Sequence, residues 1–327
     1  MGRKEMLLSL LTENIGNFVS GEAIAEKIGV SRSAVWKLVN GLRKNGYKII
    51  AVTNKGYCLC ENTDVISKNG IMSAFSKEKS KTIFSIEVLD EVDSTNTYLK
   101  SAAQSQKEGK VVVSKIQTNG RGRQGRCFLS ENEGGVYMSL LLKPKNLTAE
   151  NSYVITTSAA VAVCKALEKL FSVFPKIKWV NDVFLDDKKI AGILTEAQFN
   201  MENGKIDYAV LGIGINLFAP ENGFDDEIKS IAGSVFKNNE EISNAKNRLI
   251  ASVLEEFWEL YEKKNKDELL SQYKSRSCLI GRKIRVIKRD ETKNALAISI
   301  DDDCRLIVKY DDETTEALSC GEVSLMF

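Results

Sequence analysis

Apolar residues in the first sixty positions recur three times with helical spacing and then give way to short alternating runs. Met6, Leu7, Leu10 and Leu11 form the stripe of a first helix that ends near Asn14. Ser20 is placed to cap a second, short helix carrying Ala23, Ile24 and Ile28, and Gly29-Val30 follows as a tight turn. Ser31 caps a third helix, in which Val35, Leu38, Val39 and Leu42 fall at i, i+3, i+4 and i+7. Its opposite face presents Arg32, Ser33, Trp36, Lys37 and Asn40, side chains able to reach phosphates and base edges. Tyr47–Val52 and Tyr57–Cys60 are β-prone runs on either side of Thr53-Asn54-Lys55-Gly56, which predicts a hairpin that carries Lys48 and Lys55. Together these elements predict a winged helix-turn-helix over residues 1–65. The same pattern also fits a small helical dimerisation or protein-binding module. The small, capped start of the third helix is what close approach to a DNA groove requires.

Beyond residue 65 short β-like runs alternate with longer helical ones as far as Ser275. Ile83–Leu89, Val111–Ile116, Val136–Leu142, Ile193–Gln198 and Tyr208–Ile215 read as strands, and Ser94–Ala103, Tyr153–Phe171 and Asn244–Lys263 as helices. Residues 66–275 therefore read as one mixed α+β or α/β domain.

Composition narrows the chemistry. A 327-residue chain with 43% hydrophobic residues and 3 prolines describes ordered domains with ample core. No apolar run approaches the roughly 20 residues of a bilayer span, and the N-terminus lacks the apolar stretch of a signal peptide. The 7 cysteines include no Cys-x-x-Cys pair, so they read as reduced thiols of a cytoplasmic protein. There is no histidine, which removes histidine triads, histidine metal sites and imidazole acid–base work. What remains is Lys, Arg, carboxylates, amides and backbone groups, an inventory suited to positioning and charge stabilisation. Residues 1–60 hold nine Lys/Arg against four Glu, a surplus of five positive charges. The whole chain is +2, so the rest carries −3, a weak hint of a nucleic-acid-binding head.

Three segments of the central region carry candidate chemistry. Asp93-Ser94-Thr95-Asn96 follows a strand, where Ser94 can simply cap a helix or can join Thr95 and Asn96 in bracketing a small polar ligand. Gln117 to Arg126 interleaves Gly120, Gly122 and Gly125 with Arg121, Arg123 and Arg126. Glycines let the backbone approach an anion while guanidiniums grip its oxygens. The run is neither a Walker A loop nor a dinucleotide fingerprint. Being single and bounded by strands, it reads as an ordered phosphate loop in preference to a solvated Arg-Gly tract. The third segment is Lys178-Trp179-Val180-Asn181-Asp182, followed by Lys188-Lys189-Ile190-Ala191-Gly192. Asn181-Asp182 and Asp186-Asp187 fit turns, yet Asp182 also suits a phosphate-bound Mg²⁺ and Lys189 a carboxylate or α-phosphate. Ala191-Gly192 leaves room for a ligand against the backbone. Gly212-Ile213-Gly214 lacks the third glycine of an NAD-binding loop and reads as a ligand wall.

In this order and separation, these motifs resemble those of the biotin–protein ligases, specifically the long type that doubles as the biotin operon repressor. The resemblance covers nearly the whole chain, including a tail from Gly281 to Leu325 similar to the family's SH3-like C-terminal domain. It implies an α+β protein with three parts. These are a winged helix-turn-helix (1–65), a mixed α/β domain of the biotin/lipoate ligase type (66–275) and an SH3-like β-barrel (276–327). The implied activity condenses biotin with ATP to biotinyl-5′-AMP and passes biotin to a lysine of a biotin carboxyl carrier protein. Repression of biotin genes through operator DNA accompanies it.

By the same resemblance Ser94, Thr95, Asn96, Gln117, Gly120, Arg121, Gly122, Arg123, Lys189 and Gly192 bind biotin. Arg121, Arg123, Arg126, Phe128, Asn181 and Asn216 bind the nucleotide. Lys189, Asp182 and Arg121 act in catalysis, with Asp182 assisting Mg²⁺. Ser31, Arg32, Ser33, Trp36, Lys37, Asn40 and Lys55 meet DNA. A homodimer forms when biotinyl-adenylate is bound, and no membrane is involved. Two departures stand out. Val180 replaces the family's usual proline, and Cys127-Phe128 follows Arg126 where a tryptophan is common, so Phe128 is expected to form the apolar lid. Rival readings are a ligase without active repression, a lipoate ligase, and a ligand-sensing transcription factor without catalysis.

Overall fold

The computed structural model describes residues 2–44, 46–60, 63–200, 202, 204–237, 242–263, 265–288, 291–319 and 322–325. The Cys320-Gly321 part of the C-terminal motif lies outside them. The chain divides into two compact units, residues 1–76 with 239–251, and residues 77–238 with 252–327.

In the first unit α1 (Arg3–Glu13), α2 (Gly21–Ile28) and α3 (Arg32–Lys44) precede the hairpin β1 (Ile49–Val52)–β2 (Gly56–Leu59) and a short α4 (Lys68–Ala74). Ser20 and Ser31 cap as expected, accepting from the backbone N–H of Ala23 at 3.1 Å and of Ala34 at 3.2 Å. Gly29 closes α2 in the left-handed region at φ 68°, where a side chain would be strained. Leu7, Leu11, Ile24, Val35, Val39, Leu42, Ile49 and Leu59 pack into one core. The turn of the hairpin is one residue tighter than the sequence suggests. Gly56 already pairs with Val52, so Thr53–Lys55 alone make the bend, with Asn54 at φ 67°. Asn247 completes this unit, accepting from the Ser67 amide at 3.0 Å and donating to the Val65 carbonyl at 2.9 Å.

The second unit begins with α5 (Glu78–Ile83), which takes the residue expected to start a strand. β3 therefore runs Ser85–Val92. There follow α6 (Thr95–Ala102), β4 (Lys110–Gln117), a 3₁₀ turn (Arg123–Gly125), β5 (Gly135–Leu142) and α7 (Tyr153–Phe171). Next come β6 (Lys176–Lys178), β7 (Asp182–Leu185), β8 (Lys188–Phe199), β9 (Ile206–Asn216), α8 (Ala245–Lys263), whose residues 245–251 belong to the first unit, and α9 (Lys266–Ser275). The chain ends in β10 (Lys283–Lys288), β11 (Glu291–Ile300), β12 (Leu306–Tyr310), β13 (Thr315–Leu318) and β14 (Glu322–Leu325).

Seven strands form one mixed sheet in the order β3-β4-β5-β9-β8-β7-β6, in which β3 and β4 run parallel. β5 is buried at every position and α7 along most of its length, so each reads as a near-continuous apolar run. The last five strands make an antiparallel sheet, β13-β12-β11-β10-β14, of the SH3-like kind. The fold is α+β throughout.

Candidate active site

Cross-strand register builds the floor of a cleft from glycines. Across β5, β9 and β8, Ser139 faces Gly212 and Gly212 faces Leu194. In the neighbouring row Tyr137 faces Gly214 and Gly214 faces Gly192. Neither glycine of β9 can be replaced without displacing a neighbour. A methyl at Gly212 would sit 2.3 Å from Asn96 Oδ1, and one at Gly214 would sit 2.7 Å from the Phe128 ring. The cleft above this floor encloses about 470 Å³, counting the part open to solvent.

The glycine–arginine run forms a narrow excursion closed by its own backbone. The amides of Gln117, Phe128 and Gly122 donate to the carbonyls of Ser130, Gly120 and Arg126 at 2.9, 2.9 and 2.7 Å. At its tip Gln124 and Gly125 take φ of 54° and 74°. This geometry brings Phe128 back across the floor, where its ring meets Gly214 and Gly192. It also sends Arg121 and Arg123 along the cleft wall.

At the inner end lies a buried polar cluster. Gln117 Oε1 accepts from Thr95 N at 2.8 Å and lies 3.0 Å from Thr95 Oγ1, while Gln117 Nε2 donates to Ser130 Oγ at 3.1 Å. Gln117, and not Ser94, thus satisfies an open N–H in the first turn of α6. Ser94 occupies the N-cap position but makes no side-chain capping bond and faces the cleft. Asn96 Nδ2 donates to Glu196 Oε2 at 3.0 Å. Lys100 Nζ and Arg121 Nη1 both stand 3.3 Å from Glu196 Oε1. Burial works against the charge on Glu196, but the Asn96 hydrogen bond and these two cations prevail and hold its carboxyl below the usual range.

The outer end is charged. The two-residue turn Asp186-Asp187, both at positive φ, joins β7 to β8, and a bulge at Val183/Phe184 follows in the β7–β8 ladder. Lys189 Nζ then lies 2.8 Å from Asp182 Oδ1, which also accepts from Asn181 Nδ2 at 3.0 Å. Arg123 Nη1 donates to Asn181 Oδ1 at 2.9 Å, tying the loop to this turn. The Trp179–Val180 peptide is cis, Tyr273 Oη donates to the Val180 carbonyl at 3.0 Å, and Trp179 Nε1 donates to the Cys304 carbonyl at 2.7 Å.

Ser94, Thr95, Asn96, Gln117, Arg121, Gly122, Arg123, Phe128, Asn181, Lys189 and Gly192 thus line one cleft, and Asp182 joins them through Lys189. Gly120, Arg126 and Asn216 do not reach its wall. Gly120 closes the loop base, and Asn216 Nδ2 donates to the Gly233 carbonyl at 3.0 Å. Sequence reasoning passed over Ser139, Met138 and the role of Glu196. A lone serine within the apolar run of β5 was the available signal for the first. In the first unit Arg32, Ser33, Trp36, Lys37 and Lys55 are exposed and Asn40 is partly so, with Trp36 57% exposed. Arg32 there pairs with Glu22 at 2.6 Å.

Known proteins share this architecture. Residues 88–216 match the biotin/lipoate A/B protein ligase family, residues 3–58 an HTH domain, and residues 279–326 the biotin protein ligase C-terminal domain. The bifunctional ligase/repressor BirA of Bacillus subtilis is 33% identical over 316 residues, with 94% of each chain covered. The chain belongs to the bifunctional biotin–protein ligase/repressor family. The Escherichia coli BirA protein is 28% identical, covering 98% of this chain and 96% of its own. A solved biotin protein ligase from Aquifex aeolicus, in complex with biotin and ATP, superposes with a TM-score of 0.62 at 26% identity. That match covers 74% of this chain and 98% of the other.

In this ligase/repressor the donors for a metal ion are sparse. Among the described residues no three His, Cys, Asp or Glu side chains cluster as a metal site, and Asp182 already faces Lys189 and Asn181. A single carboxylate fits a Mg²⁺ that arrives on nucleotide phosphates and keeps most of its waters, not a resident ion. Among the described residues no helix is long and apolar enough to cross a membrane.

Proposed function

We propose that this chain activates biotin with ATP to biotinyl-5′-AMP, transfers biotin to a lysine of a carboxylase carrier protein, and represses transcription through its winged helix. One observation carries the reading. A single glycine-floored cleft has a buried polar end suited to a ureido ring and a cationic mouth suited to a carboxylate meeting a phosphate.

In the first half-reaction a carboxylate oxygen of biotin attacks the α-phosphorus of ATP and pyrophosphate leaves. Two anions must approach, so the work is electrostatic. Lys189 bridges the carboxylate and the phosphate, and Arg121 and Arg123 stabilise the charge that develops on the phosphate oxygens. Phe128 covers the ligand and excludes water, which protects the reactive acyl-phosphate. In the second half-reaction the ε-amine of the acceptor attacks the acyl carbon and AMP leaves. Asp182 orients that amine, and Asn181 holds both Asp182 and Arg123. A Mg²⁺ carried by the nucleotide would neutralise phosphate charge beside Asp182. The biotin residues are Ser94, Thr95, Asn96, Gln117, Arg121, Gly122, Arg123, Lys189 and Gly192, and Gly120 serves them by closing the base of the loop that carries Arg121–Arg123. Arg126 and Asn216 serve the nucleotide after the loop and the neighbouring segment close.

The first unit binds operator DNA through Ser31, Arg32, Ser33, Trp36, Lys37, Asn40 and Lys55. Biotinyl-adenylate promotes homodimerisation, which places two heads on two half-sites. The protein works in the cytoplasm, with functional boundaries at residues 65 and 275. Biotin-dependent pyrophosphate release tests the enzymatic reading. Release with biotin and not with lipoate supports it, and release with lipoate alone overturns it.

A further inference from the structure

We propose that Glu196, which stands behind the cleft wall, sets the direction of a hydrogen-bond chain that makes the Thr95 hydroxyl an acceptor for the ureido N–H groups of the ligand. This rests on the biotin reading above.

The chain runs Glu196, Asn96, Ser139, Thr95, Gln117. Its contacts are Asn96 Nδ2 to Glu196 Oε2 at 3.0 Å and Ser139 Oγ to Asn96 Oδ1 at 2.6 Å. Ser139 Oγ lies 2.8 Å from Thr95 Oγ1, and Thr95 Oγ1 lies 3.0 Å from Gln117 Oε1. An ionised carboxylate only accepts, so Glu196, at 3.0 Å against 3.4 Å for the Leu194 carbonyl, is the stronger partner that turns the Asn96 NH₂ outward and its oxygen toward Ser139. An amide oxygen also only accepts, so the single Ser139 proton goes to Asn96. Thr95 then receives nothing from Ser139. Its own proton goes to Gln117 Oε1, which already holds the Thr95 backbone N–H. The Thr95 oxygen keeps its lone pairs for a donor in the cleft, which Thr95, Asn96 and Gln117 all line. A cyclic urea brings such donors. A ligand without them leaves a buried acceptor unpaired.

Neutralising Glu196 reverses the chain. Lys100 and Arg121 both lie 3.3 Å from Oε1, so in Glu196→Gln they claim the amide oxygen and leave the NH₂ facing Asn96. Asn96 then flips, giving up its long 3.4 Å contact with the Leu194 carbonyl, and donates to Ser139. Ser139 donates to Thr95, Thr95 donates to Gln117, and the Thr95 oxygen is partly taken.

The test measures pyrophosphate release by full-length Glu196→Gln with biotin and with an analogue methylated on its ureido nitrogen. The KM for biotin is expected to rise about tenfold with kcat within about threefold, and the preference for biotin over the analogue to fall about tenfold, as expected when a buried polar pairing is lost. Ser139→Ala cuts the chain between Glu196 and Thr95, so adding it to Glu196→Gln is expected to restore the lost preference, while Thr95→Val, which removes the acceptor itself, is expected to lower the preference and decides the matter should Glu196→Gln not fold. Lys100→Met, outside the cleft and with Arg121 still beside Glu196, is expected to keep the wild-type preference. An unchanged preference in folded Glu196→Gln or Thr95→Val, or a double variant that stays as impaired as Glu196→Gln, overturns the proposal. Absence of biotin-dependent release by the wild-type chain would instead overturn the ligase reading.

Discussion

Replacing Lys189 by methionine removes one charge and little else. Its stem packs on Gly192, where a methyl would lie 3.2 Å from Lys189 Cε, so an unbranched replacement keeps that packing. The ammonium sits 2.8 Å from Asp182, and both side chains are less than one-third exposed. Losing the pair leaves Asp182 with the Asn181 amide and access to water. The stability cost is therefore that of a partly exposed ion pair, about 1 kcal/mol or less. The cost to chemistry is larger, because in the proposed reaction Lys189 bridges the carboxylate and the α-phosphate. Removing one such preorganised donor typically costs about 3–4 kcal/mol, or a 10²–10³-fold loss in rate. The assay is biotin-dependent pyrophosphate release, run beside a thermal melt. A folded Lys189→Met with release within about threefold of wild type, far short of that expected loss, would refute the assignment of the reacting centre.

Other perturbations probe the lid, the turn, the head and the acid limb. Gly214→Ala forces the Phe128 ring aside. Overpacking of about 1–3 kcal/mol should weaken biotin binding roughly tenfold, measured by calorimetry, and unchanged affinity would mean that the ring does not lie on this floor. Tyr273→Phe loses a buried hydrogen bond to the Val180 carbonyl and should lower the melting temperature by about 2–4 °C, as about 1 kcal/mol does in a domain of this size. Lys37→Ala should weaken operator binding and reduce its salt slope by about one, with ligation unchanged; a retained slope counts against a phosphate contact. Hydrogen bonds from Lys263 and Lys77 hold Glu259 down at about 2 against an ordinary 4.5. The stability it adds is present above pH 4.5 and is lost as pH falls toward 2, so Glu259→Gln should flatten that part of the melting-temperature profile. A parallel profile in the variant would show that the pair contributes nothing.

Much of this fold is legible because its elements are long and strongly patterned. Tyr153–Phe171 reads as helix from one end to the other, since its buried small and aliphatic residues leave no breaker inside. The caps at Ser20 and Ser31 follow from local chemistry. Elements that rest on tertiary partners were out of reach. Glu78–Ile83 is too short to show a period, and it displaced the start of β3. Gln117 serves the first turn of α6 from 22 residues away, a relation that no local cue at Ser94 reveals. The site residues were readable by chemical type in Arg121, Arg123, Asp182 and Lys189. The hydrogen-bonded chain through Ser139 and Glu196 was not, because it depends on which β5 and β8 positions fall beside Asn96. Cross-strand register fixes that, and periodicity leaves it open.

Incubation of the full-length protein with labelled biotin, ATP, Mg²⁺ and a carboxylase carrier domain tests the central claim most directly. The account predicts ATP-dependent label on one lysine of the carrier, abolished when that lysine is replaced and absent with Lys189→Met. Label transfer that persists in Lys189→Met, or a carrier that stays unlabelled while the protein binds biotin, would contradict it.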